Sequence, residues 1–193
     1  KSKVDDGSDP LVEYFRKGSA ASHLSVDDFD ADYFGSARHL HLSGVAAALS
    51  ASSWALLDHA ATNFKAQGKS ISFDPNLRPV LWKSEAEMVE KLNHLAFKAD
   101  WVLPGLKEGT ILTGETTPEG IADFYLERGV KAVIVKIGAD GAWFKTSASE
   151  QGTVPAVHVD NVVDTVGAGD GFAVGVISAL LEGKTLQQAV ARG

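Results

Sequence analysis

Apolar residues recur along this chain in two alternating periods, every second residue over short runs and every third or fourth over longer ones. Val12–Arg16 alternates as a short strand, and Ser25-x-x-Asp28 caps a short turn ahead of Phe34. Ala37–Ser43 reads as a strand with Leu40 and Leu42 on one side and His39 and His41 on the other. From about Ala46 to Gln67, Trp54, Leu57, Ala61 and Phe64 return at helical spacing and Gly68 closes the segment, which predicts one long helix. Ser70–Asp74 is a short strand stopped by Asp74-Pro75-Asn76-Leu77-Arg78-Pro79, where two prolines forbid regular structure. Ser84-x-x-Glu87 opens a helix to about Ala99 with Met88, Leu92, Leu95 and Ala96 inward, and Trp101–Leu103 follows as a buried strand.

A helical piece over about Lys107–Leu112 comes next, then Thr117-Pro118 starts a helix that ends near Arg128-Gly129. Lys131–Ile137 is an unbroken apolar run, the pattern of a strand covered on both faces. Gly138-Ala139-Asp140-Gly141 turns it into an antiparallel partner over Ala142–Lys145, and Thr153–Val163 supplies irregular extended pieces. A glycine turn at 167–169 leads into a dense apolar helix ending at Leu181-Glu182-Gly183, and Thr185-x-x-Gln188 caps a last one. Strand and helix alternating with short connections imply a mostly parallel sheet with helices on both faces.

The 193 residues suffice for one sizeable core, and the absence of Cys removes disulfides and thiolate metal sites. No apolar run is long enough to span a membrane and the start carries no signal-peptide pattern, from which a cytoplasmic location is expected. A net charge of −7 argues against nucleic acid or an anionic membrane as partner. Both ends look cut, because the chain opens without Met and stops inside a helix.

The chemistry gathers at Asp164-Thr165-Val166-Gly167-Ala168-Gly169-Asp170. Gly167, Ala168 and Gly169 let the backbone turn sharply at a helix start, where free N–H groups and the positive dipole end attract phosphate. Asp170 has two readings. It is a first-turn carboxylate that stabilises its helix by about 0.3–1 kcal/mol, or a base that takes a proton from a hydroxyl attacking the phosphate beside it. In a parallel sheet ligands bind at the carboxyl ends of the strands. Asn76 and Arg78 follow one strand, Glu108 another, and Gly138 and Gly141 a third, so three suspicious stretches fall on one rim with the Gly167–Asp170 turn. His39 and His41 invite a metal reading, but alternate strand positions beside a core point to a structural pair.

These residues resemble the ribokinase-like (PfkB) carbohydrate kinases. The run from Asp164 to Asp170, with Phe172 and Gly175 behind it, is similar to the family's carboxy-terminal signature. Asp74–Arg78 with Leu81-Trp82, and Val135–Gly141, resemble family segments in the right order. Tyr14–Ala21 and Ala37–Gly44 are closest to the 2-keto-3-deoxygluconate kinases, with fructokinases second. The resemblance implies a three-layer α/β/α domain over residues 1–193. It also implies that the domain is incomplete, since the family's Gly-Gly sugar-binding element, its lid strands and its final helices have no counterpart here.

By resemblance, Asp170 is the catalytic base and contacts the sugar, and the amides of Gly167, Ala168 and Gly169 form the anion hole. A late proton transfer in a loose transition state suits a carboxylate in this role. Lys136, Gly138, Asp140 and Gly141 line the ATP site, joined by Asn76, Arg78 and the 167–169 turn. Tyr14, Arg16 and Arg78 contact a sugar acid. Glu108 helps place Mg²⁺ through water, although Gly105 stands where the family has Asn, and Asp164 and Thr165 resemble a monovalent-cation loop for K⁺. The expected activity is ATP-dependent phosphorylation of 2-keto-3-deoxygluconate. A neutral-sugar kinase and a nucleotide- or sugar-binding fragment without turnover are the alternatives, and a homo-oligomer stays open.

Overall fold

A computed structural model describes residues 15–16, 18–160, 162 and 164–193 of the chain. The described strands form one six-stranded sheet in sequential order. They are β1 (His39–Ser43), β2 (Ser70–Asp74), β3 (Trp101–Val102), β4 (Ala132–Lys136), β5 (Ala142–Thr146) and β6 (Gln151–Val154). β1 to β4 run parallel, with Leu42 beside Phe73, Phe73 beside Val102 and Val102 beside Val133. β4, β5 and β6 form an antiparallel meander.

Alternation along the strands divides the core in two. Ile71, Phe73, Val102, Val133 and Val135 point to one face and pack with α3 (Ala51–Ala66), α4 (Glu85–Ala96), α5 (Leu106–Thr113) and α6 (Pro118–Leu126). Ala132, Ile134, Ala142 and Phe144 point to the other, beneath α7 (Ala168–Leu181) and α8 (Leu186–Arg192). Right-handed crossovers between sequential parallel strands put the connecting helices on one face. The second layer therefore comes from the chain after β6.

The caps agree with the sequence. Ser84 Oγ accepts the Glu87 N–H at 3.2 Å, Thr117 Oγ1 that of Gly120 at 3.1 Å and Thr185 Oγ1 that of Gln188 at 3.3 Å. The long helix expected over 46–67 is instead two, the short α2 (Gly44–Ala47) and α3. Ser50 breaks it, since its hydroxyl accepts the Ser53 N–H at 3.0 Å and its extended backbone begins a new helix. Of the extended pieces expected over 153–163, the described residues form one strand, β6, and residues 161 and 163 lie outside them. Phe15 and Arg16 carry no regular structure, and the rest of the strand expected at 12–16 lies outside the described residues. A small helix α1 (Ala31–Gly35), capped by Asp30, precedes β1.

Candidate active site

The carboxyl ends of β1, β2 and β4, the start of α5 and the first turn of α7 meet at one rim. β2 ends in Asp74, and Asn76 follows in the left-handed region at φ 39°, which Asn tolerates better than most residues. Asp74 Oδ1 accepts the Asn76 N–H at 3.1 Å. The Asn76 amide then faces outward, with Nδ2 3.4 Å from Ser43 Oγ and 3.5 Å from Asp170 Oδ1. Arg78 is half-buried and donates through Nη1 to Leu77 O at 2.7 Å, at the start of the turn Pro79–Leu81.

α7 begins at Gly167, whose φ of 83° is open to a residue without Cβ. Among the described residues no side chain caps this helix, and its first inward amide is Gly171 N–H to Gly167 O at 2.8 Å. The Gly169 and Asp170 amides thus belong to the set of first-turn donors that an α-helix leaves without an intrahelical carbonyl. The Ala168 N–H is turned back to Thr165 O at 3.2 Å, so it is not aimed with the other two.

Lys136 closes β4 and its Nζ donates to Asp74 Oδ2 at 2.7 Å. Asp74 is only 3% exposed. Burial pushes its carboxyl above the ordinary range, and the Lys136 ammonium pulls it back. The same Nζ stands 3.6 Å from the place a Cβ on Gly169 would occupy, directly at the α7 turn.

Glu108, in the first turn of α5, accepts the Leu77 N–H on Oε1 and the Gly105 N–H on Oε2, both at 2.8 Å. One carboxylate thereby ties the loop after β2 to the loop after β3. A metal held directly by Glu108 does not suit this arrangement. A hydrated Mg²⁺ arriving on phosphates fits better, because it keeps several of its waters. Among the described residues no cluster of three or more His, Asp or Glu is placed to hold a metal.

Gly138–Asp140 forms a tight turn after β4, in which Asp140 is exposed, and Gly138 and Gly141 take φ of 65° and 102°. Asp164 Oδ1 accepts the Val166 N–H at 2.9 Å in the approach to α7, so Asp164 and Thr165 shape that loop. Arg16 is exposed, and its carbonyl accepts the Ser19 N–H at 3.1 Å. Tyr14 lies outside the described residues.

Asp74, Ser43 and His41 belong to this rim and were not singled out for it by sequence. Period-two alternation puts Asp74 in line with Ser70 and Ser72, and His41 and Ser43 in line with His39, which makes the α7 side of β1 and β2 polar. His39 lies 2.8 Å from Ser70 Oγ through Nδ1 and 2.9 Å from Ser72 Oγ through Nε2, while His41 Nδ1 is 2.8 Å from Ser72 Oγ. Burial holds His41 below the ordinary imidazole range. The Asp170 carboxylate opposes that shift and the Lys136 charge adds to it. The usable signal was a charged residue closing each of two otherwise buried strands.

The fold and this rim define a three-layer α/β protein with an anion-attracting helix start beside a carboxylate and a placed lysine. The chain belongs to the pfkB family of carbohydrate kinases, which it matches over residues 5–193. It is 54% identical to the 2-dehydro-3-deoxygluconokinase of Bacillus subtilis over 193 residues, covering all of this chain and 59% of that protein. Among solved structures, a PfkB protein from Polaromonas sp. is 53% identical at a TM-score of 0.90, covering 98% of this chain and 61% of that one. A fructokinase from Vibrio cholerae, solved with fructose, ADP and calcium ion bound, is 29% identical at a TM-score of 0.77, covering 90% and 57%. The chain thus spans about three-fifths of the length of these relatives.

Proposed function

We propose that the protein is an ATP-dependent sugar-acid kinase acting on 2-keto-3-deoxygluconate to give its 6-phosphate. The observation that carries this reading is the seating of Asp170 in the uncapped first turn of α7, within reach of Asn76 and beside Lys136. The relative from Bacillus subtilis supports the substrate, since 2-dehydro-3-deoxygluconate is the same sugar acid under another name.

In the reaction, Asp170 takes the proton of the sugar hydroxyl as its oxygen bonds to the γ-phosphorus, and the bond from that phosphorus to the ADP oxygen breaks. The amides of Gly167 and Gly169, chiefly that of Gly169, and the Lys136 ammonium meet the charge on the transferring group. Asn76 orients Asp170, Arg78 serves the phosphate or the substrate carboxylate with its planar fork, and Gly138, Asp140 and Gly141 border the nucleotide. Tyr14 and Arg16 serve the sugar acid. Mg²⁺, related to Glu108 through water, neutralises phosphate charge when bound. K⁺ at the loop of Asp164 and Thr165 belongs to the same reading.

A neutral-sugar kinase is the second reading, favoured by the likeness to a fructokinase that holds fructose and ADP. ADP release by the full-length protein with 2-keto-3-deoxygluconate, fructose or no sugar separates the two. Release dependent on the sugar acid is expected, and Asp170→Asn should lower it by about 10²–10⁴-fold with the fold intact. Release with fructose alone selects the second reading, and near wild-type turnover in Asp170→Asn removes Asp170 from the base role.

A further inference from the structure

The ion pair between Asp74 and Lys136 has no evident reason in stability. A buried pair gains little over well-packed apolar residues of the same volume, because desolvation offsets the attraction. Asp74 is 3% exposed and the pair closes at 2.7 Å. The place is also unfavourable to a lone cation. Lys136 Nζ lies against the first turn of α7, 3.6 Å from the Cβ position of Gly169, where the positive end of the helix dipole repels an ammonium. Without a counter-charge the flexible side chain gains by turning toward solvent.

We infer that Asp74 is a positioning residue that holds the Lys136 ammonium at the α7 turn, so that Lys136 presents a fixed cation to phosphate bound there. This rests on reading that turn as a phosphate site. Asp74 is itself fixed, since its second oxygen accepts the Asn76 N–H at 3.1 Å. Lys136 has three N–H donors, and the pair uses one. Its side chain is 21% exposed, so the pair is not sealed from the rim. The tether sets where the charge stands and leaves donors for the ligand.

The expected effect of Asp74→Asn runs against simple electrostatics. Asp74→Asn removes a negative charge near an anion site, which by charge alone tightens ATP binding. If Asp74 positions Lys136, the same change weakens it. The test is ATP affinity by titration calorimetry on the full-length protein, with circular dichroism and thermal unfolding as controls, for Asp74→Asn, Lys136→Met and the double variant.

Loss of one charge-assisted contact corresponds to a dissociation constant raised about tenfold to a hundredfold. That rise is expected in each single variant. The double variant should bind no more weakly than Lys136→Met, yet unfold at a higher temperature than Asp74→Asn, because it leaves no unpaired buried charge. A purely structural pair would instead recover ATP affinity together with stability in the double variant, which overturns the inference. Unchanged or tighter binding by folded Asp74→Asn overturns it as well. Should Asp74→Asn fail to fold, Lys136→Met carries the test, and wild-type affinity there refutes the role of the lysine. A wild-type protein that binds no ATP overturns the phosphate-site reading and this inference together, whereas tight wild-type binding with an unaffected Asp74→Asn overturns this inference alone.

Discussion

Asn76 Nδ2 donates to Asp170 Oδ1 at 3.5 Å across 94 residues of sequence, joining the loop after β2 to the first turn of α7. The contact is at the long limit of a hydrogen bond, so it orients more than it binds. Asn76 reaches it from a left-handed backbone, φ 39°. Two substitutions separate its roles. Asn76→Gly keeps that backbone and removes the amide, so unfolding should change by less than about 1 kcal/mol while kcat falls. Asn76→Ala adds the strain of φ > 0 and should lose about a further 1 kcal/mol. Thermal unfolding beside turnover measures both, and equal stability of the two variants would dispose of the strain argument.

Glu108 accepts two backbone amides from two different loops. Glu108→Ala strands both donors, at a cost of about 2–4 kcal/mol, and should lower Tm by about 5–10 °C. Glu108→Gln keeps one acceptor oxygen and should fall between the variant and wild type. If Glu108→Ala melts with wild-type protein, the tie between these loops is not a significant one.

A Cβ on Gly44 would stand 1.9 Å from Pro75 O. The chain leaving β1 therefore touches the chain leaving β2, and Gly44→Ala pushes Pro75 and Asn76 away from the end of β1. The expected loss is about 3 kcal/mol or more, with turnover falling because the Asn76 amide moves from Asp170. Gly35→Ala, where nothing lies within reach of the new methyl, serves as the control and should melt within about 0.5 kcal/mol of wild type. Thermal melts of the purified variants decide it.

Much of the rim could be read in the sequence because it is built of local signals. The Gly167–Gly169 turn, the Asp74-Pro75 stop and the Gly138–Gly141 turn are breaks in periodic patterns, and each stands where a strand or helix changes. Glu108 is a helix-start carboxylate, visible as such, but its two amide partners come from loops whose distance apart no spacing reveals. Lys136 entered the sequence reading only through the family segment Val135–Gly141, whereas its pairing with Asp74 depends on β2 and β4 flanking β3 in the sheet. The break at Ser50 was legible too, as a Ser-x-x-Ser step, but the flanking alanines and leucines keep helical spacing across it and mask it.

His39 stacks on Trp101 with ring centroids 4.9 Å apart. Burial brings its pKa from 6.5 down to about 4, with His41 adding to the shift and Asp100 opposing it. Between about pH 6.5 and pH 4 the unfolded chain binds a proton that folded His39 refuses, so stability falls as pH drops through that window. His41, also lowered, acts with the same sign. The side chain is partly exposed, so a discounted loss of about 1 kcal/mol is expected, or about 2–4 °C in Tm. Melts at about pH 7 and about pH 4.5 should show this drop, and His39→Gln should flatten it. An equal drop in His39→Gln assigns the pH dependence to other groups.

α7 carries Asp170 to the rim by packing Ala173, Val176 and Ala179 over the sheet face of Ala132, Ile134 and Phe144, with no strand of its own to align it. The other rim groups emerge from strand ends or from a helix start tied to them. During synthesis, β1 to β6 leave the ribosome before Asp170 does. The ribosome therefore releases Lys136 and the loops after β2 and β4 before Asp170. A nascent chain at that stage holds Lys136 and Asp74 without the helix start that they face.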